Sequence, residues 1–150
     1  MPTLEDAIAL AVQAHRGQVD KAGQPYILHP LRMLFRLESE DERIVAVLHD
    51  VIEDTPTTFA DLRALGYAEE ILQALDCVTR RPDETYEQFI ERAAANPLAR
   101  RVKLADLEDN MDLRRMRALA DHDLERLQRY LDAWQKLKQG ERGGALSSPS

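Results

Sequence analysis

No stretch of the 150-residue chain alternates apolar and polar residues for long enough to build a sheet, whereas apolar residues recur at helical spacing nearly throughout. That periodicity predicts an all-α fold, a bundle of helices around one core. Thr3 and Asp6 approximate a capping box, and Leu4, Ala7, Ile8, Ala11 and Val12 follow as one apolar stripe. Residues 16–26 hold Gly17, Gly23 and Pro25 and read as a loop. Pro30 suits the first turn of a second helix, Leu31–Leu37. Ser39 and Glu42 form another capping box, opening a helix from Asp41 to Glu53. Its apolar residues Ile44, Val45, Val47, Leu48, Val51 and Ile52 cover most of its circumference, which marks it as the buried centre. Shorter helices are expected at Phe59–Leu65, stopped by Gly66, at Ala68–Val78 and at Tyr86–Ala95. A long helix starts at Pro97, and Leu124–Leu137 closes a single domain spanning 1–139. From Gly140 onward the polar sequence is expected to be a mobile tail.

Twenty Lys and Arg against 27 Asp and Glu leave a net charge of −7. A nucleic-acid backbone is therefore disfavoured as a partner, because its binders present a basic face. No apolar run approaches the ~18 residues of a membrane-crossing helix. The acidic start, Met1 to Asp6, has neither the basic nor the apolar region of a signal peptide. The lone cysteine, Cys77, cannot form an internal disulfide, so a reducing cytoplasm is the expected compartment.

The run His49-Asp50-Val51-Ile52-Glu53-Asp54 places four ionisable residues in an otherwise apolar helix. Charged groups in such a place must be paired or bound to a metal. On a continuous helix His49 and Asp50 point about 100° apart, so an ion between those directions is within reach of both. Glu53 lies one turn on, on the same face, which suits a carboxylate beside the metal rather than a third ligand. Two more ligands must come from elsewhere. His29 sits between the extended segment Pro25–Leu28 and the helix start at Pro30, and Asp106 interrupts the apolar face of a later helix. Two imidazoles and two carboxylates suit a borderline divalent ion, Mn²⁺ first, with Fe²⁺, Co²⁺ or Zn²⁺ as alternatives. Such an ion lowers the pKa of a water it binds.

Four blocks carry a more specific signal. They are Ala14-His15-Arg16-Gly17-Gln18 with Lys21, Gly23 and Pro25-Tyr26-Ile27-x-His29-Pro30; Leu48 to Thr55; Val78-Thr79; and Val102 to Asp106 with Asn110-Met111. In this order they resemble the HD-domain hydrolases of the RelA/SpoT group, in particular the small stand-alone alarmone hydrolases. The resemblance runs from Ala7 to Met116. It implies that His29, His49, Asp50 and Asp106 hold the metal, usually Mn²⁺. It implies that Glu53 and Asp54 are the catalytic carboxylates that position or activate water, and that Lys21 and Asn110 contact the substrate. The reaction implied is removal of the 3′-pyrophosphate from guanosine tetra- or pentaphosphate, a phosphorylated nucleotide. Alternatives are an adenosine alarmone, a 2′-phosphorylated dinucleotide, or a non-catalytic nucleotide-binding domain. A complete ligand set together with Glu53 and Asp54 argues against the last.

Three positions depart from the group's pattern. Asp20, Leu107 and Asp112 stand where basic residues are usual. Each change removes positive charge or adds negative charge in the shell that reads the nucleotide. Arg114 and Arg115 follow the fourth block closely enough to stand in for the missing cations. His15 at a helix end, His122 before the last helix and Cys77 on an apolar face read as structural.

Overall fold

The computed structural model describes residues 1–146, with side chains through Glu141, and within them the chain is all-α. Helices run α1 Leu4–Ala14, α2 Leu28–Leu34, α3 Glu40–Leu48, α4 Val51–Asp54, α5 Phe59–Ala64, α6 Glu69–Cys77, α7 Tyr86–Ala95, α8 Pro97–Asn110 and α9 Asp121–Leu146. A single 3₁₀ turn, Leu113–Arg115, follows α8. One isolated bridge, Val19 to Pro25, pins the loop between α1 and α2. No helix among the described residues is long and apolar enough to cross a membrane.

Local sequence sets the helix starts. Thr3 with Asp6, Ser39 with Glu42, Thr58 with Asp61 and Thr85 with Gln88 each make a reciprocal capping box. Asn96 accepts from the backbone of Leu98 and Ala99, while Pro97 takes the first helical position, where its missing N–H costs nothing. Gly66 ends α5 at φ +95°, a left-handed conformation that glycine adopts without a Cβ clash.

α3 is the centre, as its apolar circumference predicts. Ile44 to Leu48 are fully buried, and the helix packs on α1, α2, α6 and α8. A second cluster, Ile90, Leu104, Leu107, Ala133 and Leu137, joins α7 and α8 to α9. Tyr130 and Trp134 pack against it.

Three expectations are corrected. The helix read as continuous from Asp41 to Glu53 breaks after Leu48. There the Nδ1 of His49 lies 2.7 Å from the Ala46 carbonyl, and that carbonyl also accepts the His49 N–H. This tightens the chain into an i−3 turn, and Asp50 sits at φ −105°, ψ 2° before α4 resumes. α2 begins at Leu28, not Leu31, so His29 lies in its first turn. The last helix does not stop near Leu137. It continues to Leu146, so residues 140–146 of the expected tail are helical, and 147–150 lie outside the described residues. Lys138 pairs with Glu141 at 3.6 Å within this extension.

Leu137 is fully buried in the small cluster that fastens α9. Leu137→Ala should cost about 2–5 kcal/mol, the range for a core leucine truncated to alanine. A urea unfolding curve would show the lowered midpoint.

Candidate metal centre and its pocket

α2, the α3–α4 break and α8 converge on one point. His29, His49 and Asp50 each offer a ligand atom, and those atoms lie within 4.8 Å of one another. From α8, Asp106 Oδ1 is 2.9 Å from His29 Nε2 and 3.6 Å from His49 Nε2. Asp50 Oδ2 is 3.1 Å from His49 Nε2. The structure therefore brings together the four residues singled out from sequence. The break between α3 and α4, rather than a regular helix, is what sets the Asp50 carboxylate beside the His49 ring.

The surroundings orient these groups. Asp109 Oδ2 lies 2.6 Å from His29 Nδ1, which turns Nε2 toward the centre. The Ala46 carbonyl does the same for His49 through its Nδ1. His49 Nε2 is then buried with no hydrogen-bond partner. A buried, unpartnered imidazole nitrogen beside two carboxylates could serve as a ligand to a cation, and the donor set fits a divalent ion. Tyr26 donates its hydroxyl to Asp50 Oδ2. Lys103 Nζ is 2.7 Å from Asp106 Oδ2, and Asn110 Nδ2 donates to Asp106 Oδ1 at 3.1 Å.

The charges are strongly coupled. Burial opposes charge on His29, but its contacts to Asp106 and Asp109 overcome that and push the imidazole up to about 9. Burial also opposes charge on Asp106, yet Lys103 and the two histidines hold it well below the usual carboxylate range. Burial and then the Asp106 charge drive Asp50 the other way, well above that range. A divalent cation would relieve this repulsion directly.

The pocket beside the centre is lined by His49, Asp50, Glu53, Lys103, Asp106 and Asn110, with Arg80, Tyr86, Phe89 and Tyr130 on its far side. Glu53 is exposed and its Oε1 accepts the Arg80 backbone N–H at 2.5 Å. Asp54 is outside the pocket lining, at the end of α4, where Gln18 Nε2 donates to its carbonyl at 2.9 Å. Lys21 is exposed on the α1–α2 loop and is not in the lining either. His15 is buried at the end of α1, with Nδ1 2.8 Å from Gln18 Oε1.

Asp20, Leu107 and Asp112 all have structural work. Asp20 Oδ1 accepts from the backbone of Ala22 and Gln24 at 2.9 Å, closing the loop turn. Leu107 is fully buried under α9. Asp112 caps the 3₁₀ turn and pairs with Arg114 at 2.7 Å. Arg115 is held by Asp109 and Asp112. Neither arginine is left free to replace a missing cation, contrary to the sequence reading.

Sequence reasoning missed Asp109, which also binds Arg32 at 2.8 Å. Its spacing one turn after Asp106 was the available signal, since a ligand-bearing helix places i+3 on the same face. It also missed Tyr26 and Tyr86, which the fold brings to the centre and to its pocket from separate elements.

No family model matches the chain. It is 30% identical over 120 residues to a guanosine-3′,5′-bis(diphosphate) 3′-pyrophosphohydrolase of Aquifex aeolicus, covering 72% of this chain and 17% of that protein. It is 33% identical over 97 residues to the bifunctional (p)ppGpp synthase/hydrolase SpoT of Escherichia coli K12, covering 62% of this chain and 14% of that protein. The chain thus spans less than a fifth of the length of these curated relatives. A solved structure described as a metazoan ortholog of SpoT that hydrolyses ppGpp superposes with a TM-score of 0.71 at 23% identity, covering 97% of this chain and 98% of that one. The two share the fold.

Asp109→Asn should keep the bundle but weaken Mn²⁺ binding about 10–100-fold, the usual loss when a metal-orienting carboxylate is removed. Equilibrium dialysis with Mn²⁺ would measure it.

Proposed function

We propose that this chain, a homologue of the RelA/SpoT group over the matched stretch, is an HD-domain, metal-dependent phosphohydrolase that removes the 3′-pyrophosphate from guanosine 3′,5′-bis(diphosphate). The observation that carries the proposal is the buried, unpartnered Nε2 of His49, aimed at a cluster with His29, Asp50 and Asp106 at the base of an open pocket. These four residues would hold the ion, Mn²⁺ by the donor set. When bound, it would supply positive charge to the phosphate oxygens and acidify water at the site.

The chain's own groups account for the rest. Hydrolysis here breaks the bond between the ribose 3′ oxygen and phosphorus. The water oxygen goes to phosphorus, one proton goes to the 3′ oxygen, and the products are guanosine 5′-diphosphate and pyrophosphate. Glu53 would take the proton from water. One of its oxygens is occupied by the Arg80 N–H, so its other oxygen is the one available to accept. The Arg80 contact also fixes the carboxylate against rotation, which general-base catalysis requires. Asp54, one residue on, would assist in positioning the water. Asn110 sits over Asp106 at the pocket edge and suits a sugar hydroxyl. Lys21, on the exposed loop, would reach the substrate only from outside the pocket. The compartment proposed is the cytoplasm, on the lone cysteine.

A second reading, an adenosine counterpart of the same nucleotide, is favoured by Asp20. Its carboxylate is spent on a turn, and it offers no planar cation to stack on a base. Chromatography of guanosine and adenosine bis(diphosphates) after incubation with the Mn²⁺-loaded chain separates the two readings. Glu53→Gln should bind Mn²⁺ normally and lose about 10²–10⁴-fold in turnover, the range for general acid–base assistance. Near-normal turnover would remove Glu53 from the role of base.

A further inference from the structure

The substrate proposed above carries several negative charges into a protein of net charge −7. Cations must meet those charges that the metal centre does not. Most basic groups around the centre are already committed: Lys103 to Asp106, Arg32 to Asp109, Arg114 to Asp112, and Arg115 to Asp109 and Asp112. Two are not. Arg80 lies at the pocket with its guanidinium 5.9 Å from the centre of the Tyr86 ring, and Arg129 of α9 lies 5.4 Å from the same ring. Among the described residues neither guanidinium pairs with a carboxylate. They rest on an aromatic face, an arrangement that holds a cation in place while leaving its N–H groups free.

Tyr86, whose ring both approach, lines the pocket with Arg80, and its hydroxyl is buried without a hydrogen-bond partner. A buried unpaired hydroxyl costs stability unless something binds it. Burial raises its pKa, so at neutral pH it remains a donor. The wall starts at the reaction centre, because the Arg80 backbone holds Glu53. Two free guanidinium groups and one orphan donor match the oxygens of a phosphate or diphosphate.

We propose that Arg80, Tyr86 and Arg129 form an anion subsite that binds the phosphate groups of the nucleotide not undergoing cleavage, in place of the cations absent at positions 20, 107 and 112. This rests on the nucleotide-hydrolase reading, but its test does not require turnover. The probe is guanosine 5′-diphosphate, which retains those phosphates, with guanosine as the reference. Binding to the Mn²⁺-loaded full chain is measured by calorimetry. The native chain should bind the diphosphate more tightly than guanosine. Arg80→Gln, Arg129→Gln and Tyr86→Phe should each weaken the diphosphate about 10–100-fold, the scale of one charge-assisted hydrogen bond, and leave guanosine unchanged. Arg114→Gln, which alters an arginine already paired to Asp112, should change neither. Both arginines are exposed, and Phe keeps the ring on which they rest, so folding is not at issue.

Equal affinity for diphosphate and nucleoside in the native chain overturns the subsite. So does unaltered diphosphate binding in the three variants. If guanosine 3′,5′-bis(diphosphate) is not hydrolysed while diphosphate binding still depends on Arg80 and Arg129, the reaction assignment fails and the subsite stands. Hydrolysis with diphosphate binding indifferent to these residues is the reverse result.

Discussion

Two carboxylates of α8 on one imidazole of α2 hold the site together. Asp106 and Asp109, one turn apart, meet the two nitrogens of His29 across nearly 80 residues of sequence. Neither α2 nor α8 could bury these groups alone. An uncompensated charge in such a place costs several kcal/mol, so the residues are tolerable only as a set. The set in turn fixes how α2 and α8 approach α3, which carries His49 between them. A divalent ion would complete the balance of charge that protein groups alone leave uneven, with Asp106 favouring ionisation and Asp50 resisting it. Structure and chemistry here have one cause.

Much of this was legible in the sequence, for identifiable reasons. The capping boxes at Thr3 and Ser39 are local signals, and the helices start beside them. The apolar circumference of Ile44 to Leu48 forced α3 into the centre. His29, His49, Asp50 and Asp106 stood out because each is ionisable against an apolar background. What failed depended on particular side-chain contacts. The break after Leu48 arises from the His49 ring competing for a helix carbonyl, which hydrophobic spacing does not encode. α9 continues to Leu146, whereas the sequence reading ended it at Leu137 because a polar, glycine-rich stretch follows from Gly140. Asp109, absent from the sequence reading, is set apart by its place one turn after Asp106 and by its complete burial.

The nucleotide-reading shell shows how a departure from a family pattern is interpreted by structure. From sequence, Asp20 and Asp112 place negative charge where the family pattern has basic residues. In the fold, one closes a turn and the other caps a turn and neutralises Arg114. Arg114 and Arg115 are then unavailable. The uncommitted cations lie across the pocket, on the α6–α7 loop and on α9, against a tyrosine whose hydroxyl has no partner. The metal-ligand cluster and the proposed anion subsite thus come from different parts of the chain, linked where the Arg80 backbone meets Glu53.

The central claim is that His29 and His49, with Asp50 and Asp106, hold one divalent ion. Pulsed electron paramagnetic resonance of the Mn²⁺-loaded protein tests it most directly, because imidazole nitrogens on Mn²⁺ give a nuclear modulation that water and carboxylate do not. The account predicts one tightly held ion with two nitrogen couplings, reduced to one in His49→Gln. A spectrum with no nitrogen coupling, or one unchanged by that substitution, would contradict it.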